Sequence, residues 1–425
     1  AFDRESQTVS VAQTPLRADF AGGVQLYGHD LSTTILPADE SVDVSLYVSV
    51  REHVERRYWP AFTLTDAAGL SWNDLEALPP RWHKEPPHTP YWPPGEYAQW
   101  ARHLTLLPGT PPGQYRLVGE VFDIDRLQIA SLLDEQGNAV SPRFELGALT
   151  VTRPRRPFVL QPAHAAPHTF GPVTLLGYNL DRTETSAGDT VLLTLYWRSE
   201  AATSNNYTAH VEGSQAPGGK VAFSVDLAPA NGYLTSAWQP GDQWRGQHPI
   251  QLPAALESGE YQLVLSVPGE AGAQPLGRIK VIAPTRTFTR PTVEVENGST
   301  FEGVGVLEGY TLEREESTLT LNLIWHATAS PRVSYAAFVH LSDEAGRAWA
   351  QSDAVPAKWT RPTTGWVAGE YVVDPHMLPL PAALPPGQYQ LFIGLYDPQT
   401  GQRARASGPG AGEDNRVEIG RITLP

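Results

Sequence analysis

The chain has 425 residues, 41% of them apolar, with 46 acidic against 31 basic side chains and a net charge of −15. That length fills two to four ordinary domains, and the acidic balance repels a phosphate backbone, which argues against nucleic acid as a partner. With no cysteine and a single methionine, Met377, disulfides, thiolate nucleophiles and cysteine-type zinc sites are excluded. No apolar stretch approaches the roughly 20 residues of a membrane-spanning helix. The chain opens at Ala1 rather than Met, as expected where a leader has been removed or a fragment excised.

In chain order, residues 1–19 come first and contain the alternating Thr8-Val9-Ser10-Val11. This reads as a first strand, a loose end or a strand donated to a neighbouring molecule. Phe20 then leads into Leu26-Tyr27-Gly28-His29-Asp30-Leu31, and Val42, Val44, Leu46 and Val48 alternate with a wetter face of Asp43, Ser45 and Ser49. A period of two predicts a strand. Residues 67–91 form a ring-rich insertion that ends on a box, Trp92, Gly95 and Glu96, and a second box, Gly113 and Tyr115, follows eighteen residues after Gly95.

The same order returns from Phe170. Leu175-Leu176-Gly177-Tyr178 precedes a cleanly alternating segment, Val191, Leu193, Leu195 and Trp197, and a Tyr207-led strand follows. The boxes are then Trp238, Gly241 and Asp242, and Gly259 and Tyr261. From Phe301 the third copy repeats it with Leu319, Leu321, Leu323 and Trp325, a Tyr335-led strand, Trp366, Gly369 and Glu370, and Gly387 and Tyr389. Gly241 to Gly259 and Gly369 to Gly387 again span eighteen residues. Each copy closes on a short apolar strand headed by Leu146-Gly147, Leu276-Gly277 or Ile419-Gly420.

Three like units in tandem follow from this spacing. Short turn-separated strands without helical periodicity predict an all-β fold of three antiparallel β-sandwiches in an elongated array. The units are placed at 20–154, 170–284 and 301–425. The connectors 155–169 and 285–300 are rich in Pro, Ala and Thr, and read as semi-rigid spacers or as first strands lying along the next unit.

Leu193-Thr194-Leu195-Tyr196-Trp197, the Tyr-led strand after it, and Leu384-Pro385-Pro386-Gly387-Gln388-Tyr389-Gln390-Leu391 resemble features of fibronectin type III and immunoglobulin-like domains. The resemblance implies that Tyr115, Tyr261 and Tyr389 close a tyrosine corner. The longer pattern, with Phe338-Val339-His340-Leu341 and Gly394-Leu395-Tyr396-Asp397, is similar to uncharacterised sandwich modules of bacterial envelope proteins, some attached to membrane glycosyltransferases. It implies a fold and an extracellular or cell-surface location, and no activity.

Signatures of chemistry are sparse. The Gly-x-Ser-x-Gly elbow is absent, Gly303-Val304-Gly305 is followed by Gly309 one place late for a dinucleotide fingerprint, and Gly218-Gly219-Lys220 lacks the rest of a phosphate loop. His164 and His168 have ligand spacing, but Pro162 and Pro167 break the helix that would align them. Asp123, Asp125, Asp343, Glu344 and Asp397 stand near strand ends, where calcium rigidifies sandwiches, without an Asp-x-Asp-x-Asp-Gly loop. Glu96, Asp242 and Glu370 recur after a turn glycine and read as turn residues rather than three active sites. No catalytic residue, metal or cofactor is assigned.

The insertion is the expected ligand site if one exists. Trp59, Trp72, Trp82, Tyr91 and Trp92 would stack on sugar rings while Asn73, Asp74 and Glu76 bind hydroxyls, or the same rings cover the end of the sandwich. The sequence therefore predicts a non-catalytic surface protein with structural or adhesive duty, associating with itself or with other envelope proteins by strand donation or end contacts. The other reading is a carbohydrate-binding accessory region of a glycan-processing protein, with polysaccharide as the partner.

Overall fold

A computed structural model describes residues 12–75, 78–137, 139–315 and 317–424. The expected strand Thr8-Val9-Ser10-Val11 and Glu76 lie outside them. Among the described residues the helical segments are three single 3-10 turns, Thr89–Tyr91, Thr235–Ala237 and Thr363–Gly365, and the rest of the regular structure is strand. The chain is all-β, built as three pairs of sheets.

In the second pair one sheet runs His164–Phe170, Val173–Leu180, Thr190–Ser199, Gln243–Gln251. The facing sheet runs Glu184–Ser186, Ala273–Ile282, Gly259–Ser266, Ala209–Ser214, Val221–Leu227. The first and third pairs repeat this arrangement. In the first, Val24–Leu31, Ser41–Val50 and Ala98–Thr105 face Phe144–Thr152, Gly113–Asp123 and Tyr58–Thr65; in the third, Gly305–Glu315, Thr318–Ala327 and Tyr371–Pro379 face Val417–Leu424, Gly387–Tyr396 and Ala336–Ser342. Each pair encloses one buried cluster drawn from both of its sheets, around Leu26, Leu46 and Leu117, around Leu175, Leu195 and Leu263, and around Leu307, Leu323 and Leu391.

One detail differs from the sequence reading, which expected antiparallel pairing throughout. The ladders are antiparallel except for two short parallel ones, Ile35–Pro37 on Phe144–Thr152 and Glu184–Ser186 on Ala273–Ile282, because the chain crosses from one sheet to the other before its long hairpin. Of the two readings of the connectors, the first-strand one holds for their later parts, and the end of the leading segment behaves alike: Thr14–Phe20, His164–Phe170 and Val295–Phe301 each pair antiparallel with the strand that follows. His164 and His168 sit on one such strand, where rings of Tyr178 and Phe170 lie 5.0 and 4.4 Å away.

The recurrent boxes hold the ends of these sandwiches together. Trp92, Trp238 and Trp366 are buried, and each indole N–H donates to a carbonyl five residues back, Pro87 at 2.6 Å, Tyr233 at 3.3 Å and Arg361 at 3.0 Å. Gly95, Gly241 and Gly369 have φ of 77°, 86° and 88°, a left-handed turn that costs glycine little. Tyr115, Tyr261 and Tyr389 each donate to the carbonyl four residues back, Pro111 at 2.8 Å, Glu257 at 3.0 Å and Pro385 at 2.5 Å. A buried hydrogen bond of this kind contributes about 1 kcal/mol.

Candidate functional site: the joints and the first insertion

The acids of the Trp boxes gain a role from the chain segments that precede them. Arg286, four residues beyond Ala273–Ile282, donates from Nη1 to Glu370 Oε2 at 2.7 Å, and Arg361 donates from Nη2 to Oε1 at 2.9 Å. Glu370 has no exposed side-chain surface, and the two arginines keep 14% and 15%. Arg286 also reaches Ala254 O at 2.5 Å and Gly365 O at 3.0 Å, and Arg361 reaches Thr285 O at 3.2 Å. One carboxylate thereby ties the second sheet pair, the connector and the third pair. Burial without such partners would be costly, so the two cations set the geometry of the joint.

The first joint is a lighter version. Arg153, directly after Phe144–Thr152, pairs with Asp242 and donates to Tyr233 Oη at 2.9 Å. Backbone and amide groups add to it: Arg245 N–H donates to Gly109 O at 2.9 Å and Gln247 Nε2 to Ser71 O at 2.8 Å. Desolvation pulls the Arg153 pKa down, but its hydrogen bond and charge contact with Asp242 outweigh that and leave it raised. In the first copy Glu96 has no ion pair or side-chain hydrogen bond among the described residues. Its neighbour three residues back is Pro93, which has no N–H, whereas Gln239 and Val367 donate to Asp242 and Glu370 from that position at 2.7 and 2.9 Å.

A crevice of about 410 Å³ opens between the first and second pairs, lined among others by Asp66, Gln114, Tyr115, Asp226, Asn231 and His248. Its polar groups are engaged within the protein, His248 Nε2 excepted. Asp66 accepts from Ala68 N, Leu70 N and Trp72 Nε1, Asp226 contacts His210, and the Asn231 amide pairs with Gln247. Burial pushes His248 down to about 4.

The first insertion divides the expected rings. Trp72 and Trp92 are core residues at 0% and 2% exposure and present no face to a ligand; they fill the sandwich end. Trp59 is half-buried beneath the Arg102 guanidinium, 4.3 Å from its ring centroid. Trp82 and Tyr91 are open at 59% and 75%. Trp82 Nε1 donates to Asp43 Oδ2 at 2.9 Å. Asn73 is buried and bridges Leu64 N and Phe62 O.

A position ten residues after each box tryptophan escaped sequence reasoning: Arg102, His248 and His376 are all buried there. In the third pair, His376 Nε2 lies 3.1 Å from Asp374 Oδ2 and its Nδ1 3.0 Å from Ser352 Oγ. The Asp374 carboxylate also accepts from Trp325 Nε1 and Ala357 N. Both the imidazole and the carboxylate have 0% side-chain exposure, so this Ser-His-Asp grouping offers no edge to a substrate and serves to anchor the turn at Ala357. Glycine stands at 246 where the third copy has Asp374, and the equivalent Trp197 Nε1 and His248 Nε2 are left without a partner.

Among the described residues no three metal-binding side chains come together. Asp123, Asp343 and Asp397 instead accept from backbone N–H groups of their own turns. No described helix is long and apolar enough to cross a membrane.

No family model and no curated protein matches the chain. Among solved structures it is similar to the three N-terminal domains of the highly immunogenic outer capsid protein Hoc of bacteriophage RB49, at 10% identity and a TM-score of 0.19, covering 96% of both chains. The native α2-macroglobulin of E. coli aligns at 10% identity and a TM-score of 0.17 over 99% of this chain and 24% of that one. A hypothetical protein from Parabacteroides merdae aligns at 9% identity and a TM-score of 0.17, over 97% and 100%.

Proposed function

We propose that the chain is a non-catalytic scaffold of the cell surface or extracellular space, three immunoglobulin- or fibronectin-type-III-like domains set end to end as a rod. The clamped joints carry this reading. A spacer must resist bending, and the Glu370 carboxylate held by Arg286 and Arg361 links successive units through charged hydrogen bonds shielded from water. Hydrogen bonds and ion pairs run from the first unit to the second and from the second to the third. The sheet order supports the domain class, since the Trp197 strand and the Tyr261 strand, in the places of strands B and F, lie in opposite sheets as B and F do in those folds. The domains run 20–154, 170–284 and 301–425, each extended upstream by one strand, to Thr14, His164 and Val295. A chain almost free of sulfur suits an oxidising exterior. Such rods adhere or assemble through end contacts or strand donation at open sheet edges. Electron micrographs of the purified chain at high concentration test this: rods and end-to-end assemblies are expected, and compact monomers overturn it.

A further inference from the structure

We propose that the open edge of Val417–Leu424 in the third unit takes a parallel strand from a second copy of the chain, from its residues 7–11, and so joins copies head to tail. The inference rests on the scaffold reading and supplies it with a specific contact.

The first two units show what that edge lacks. Ile35–Pro37 and Glu184–Ser186 lie parallel along the last strands of their units, Phe144–Thr152 and Ala273–Ile282. Thr150 N–H donates to Thr34 O and Lys280 N–H to Thr183 O, both at 2.8 Å, and the middle side chains of the two caps, Leu36 and Thr185, are buried. In the third unit the chain turns directly from Gly305–Glu315 into Thr318–Ala327, which leaves no length for a cap. Among the described residues Val417–Leu424 is the last strand of its sheet. Residues 410–412 cover it at Val417 and Glu418 and leave the edge at 421–424 uncovered. Thr423 pairs with Gln388 as Thr150 does with Gln114 and Lys280 with Glu260, so its N–H points outward as theirs do. Thr423 is exposed, its N–H has no partner among the described residues, and its carbonyl meets Arg314 Nη1 at 3.5 Å. An unpaired strand edge is a template for another chain.

The same end of the third unit carries a second mark. Leu-Pro-Ala-Ala-Leu stands at 252–256 and again at 380–384. At the second joint Leu252, Ala254 and Leu256 are buried and Ala254 O accepts from Arg286; in the third unit Ala382 is exposed and Leu380 and Leu384 are half-buried. A surface built like a joint thus stands without its neighbour. The leading segment has the sequence to complete it. Thr8-Val9-Ser10 sets an apolar side chain between two small polar ones, with Val9 in the place of Leu36 and Thr185 and Thr8 beside Thr423. Direction agrees as well. The last strand of each unit runs toward the next joint, and a segment that runs parallel to it and enters the next copy at Ala12 follows the course of the connectors 155–169 and 285–300. Eleven residues reach at most about 40 Å, less than three units in line, so the donor is a second copy. Contact between unlike ends propagates into filaments.

Sedimentation velocity of the full chain over a concentration series tests the contact, in about 0.5 M salt to screen like-charged copies from one another. Head-to-tail oligomers are expected with a Kd under about 100 μM. Val9→Pro, which breaks the donor strand, and Thr423→Pro, which deletes an outward N–H at a strand edge, are each expected to weaken association about tenfold or more at an unchanged Tm. The chain has no cysteine, so Thr8→Cys chains mixed with Thr423→Cys chains are expected to cross-link under mild oxidation far faster than either variant alone. Monomers at every concentration, association indifferent to Val9→Pro, or absence of the mixed cross-link each overturns the proposal. Monomers that keep the radius of gyration of a rod overturn this contact and leave the rod standing, whereas compact monomers overturn both.

Discussion

Arg286 Nη1 and Glu370 Oε2 meet at 2.7 Å across the joint between the second and third sheet pairs, with the carboxylate wholly buried. The pair converts a turn residue of the repeat into a mechanical link. Its counterpart in the first joint, Arg153 with Asp242, uses the same two positions, an arginine soon after the last strand of one unit and the box acid of the next.

Removing the Glu370 charge leaves Arg286 and Arg361 facing each other in a dry joint. Glu370→Gln is expected to lower stability by about 3–5 kcal/mol, the cost of breaking a buried ion pair. Glu96→Gln, at the equivalent acid without such partners, is expected to stay within about 0.5 kcal/mol. Thermal or urea unfolding of the two variants reads the contrast, and equal effects contradict the clamp.

The turn at Gly188 approaches the third pair so closely that a β-carbon there would lie 2.4 Å from Gly365 Cα and 2.5 Å from Thr364 O, at a φ of 90°. Gly241 has a φ of 86° with nothing within 4 Å of such a carbon. Gly188→Ala therefore combines backbone strain with a steric wedge in the joint, and Gly241→Ala meets strain alone, about 1 kcal/mol. Gly188→Ala is expected to cost at least twice as much and to broaden the interdomain angle in scattering; matching melting temperatures contradict it.

The repeat was legible because its landmarks are spaced identically and chosen from residues with strict local demands: a left-handed glycine, an indole that fills the sandwich end, a tyrosine that closes a corner. Half of the box went unread. Thr89, Thr235 and Thr363 stand three residues before each tryptophan, and each hydroxyl donates to Arg56 O, Asn205 O or Val333 O while accepting from the N–H of Tyr58, Tyr207 or Tyr335. That recurrence was visible in the sequence, but a threonine is common enough to pass as background. The joints were not legible, because Arg153 and Arg286 lie 89 and 84 residues from the acids they hold and nothing local marks them. Ring counting in the insertion overestimated exposure: Trp72 resembles Trp82 in sequence setting, yet its indole N–H is tied to Asp66 at 3.0 Å and its ring is buried.

His248 ties stability to pH. Burial lowers its pKa from 6.5 to about 4, so the unfolded chain binds a proton that the folded one refuses. The stabilisation is complete above about pH 6.5 and is lost as pH falls toward 4, by roughly 3 kcal/mol at most. Urea midpoints of the native chain between pH 7 and 4.5 are expected to fall more steeply than those of His248→Met, which cannot titrate. Parallel slopes contradict a buried neutral imidazole.

Small-angle scattering from the dilute chain tests most directly whether three units stand in line on clamped joints. Strands of ten residues at ~3.3 Å each give bodies about 33 Å long, and three in a row give a radius of gyration of about 30–35 Å, unchanged between dilute samples. A value near 22 Å, that of one compact globule of this chain length, contradicts the rod.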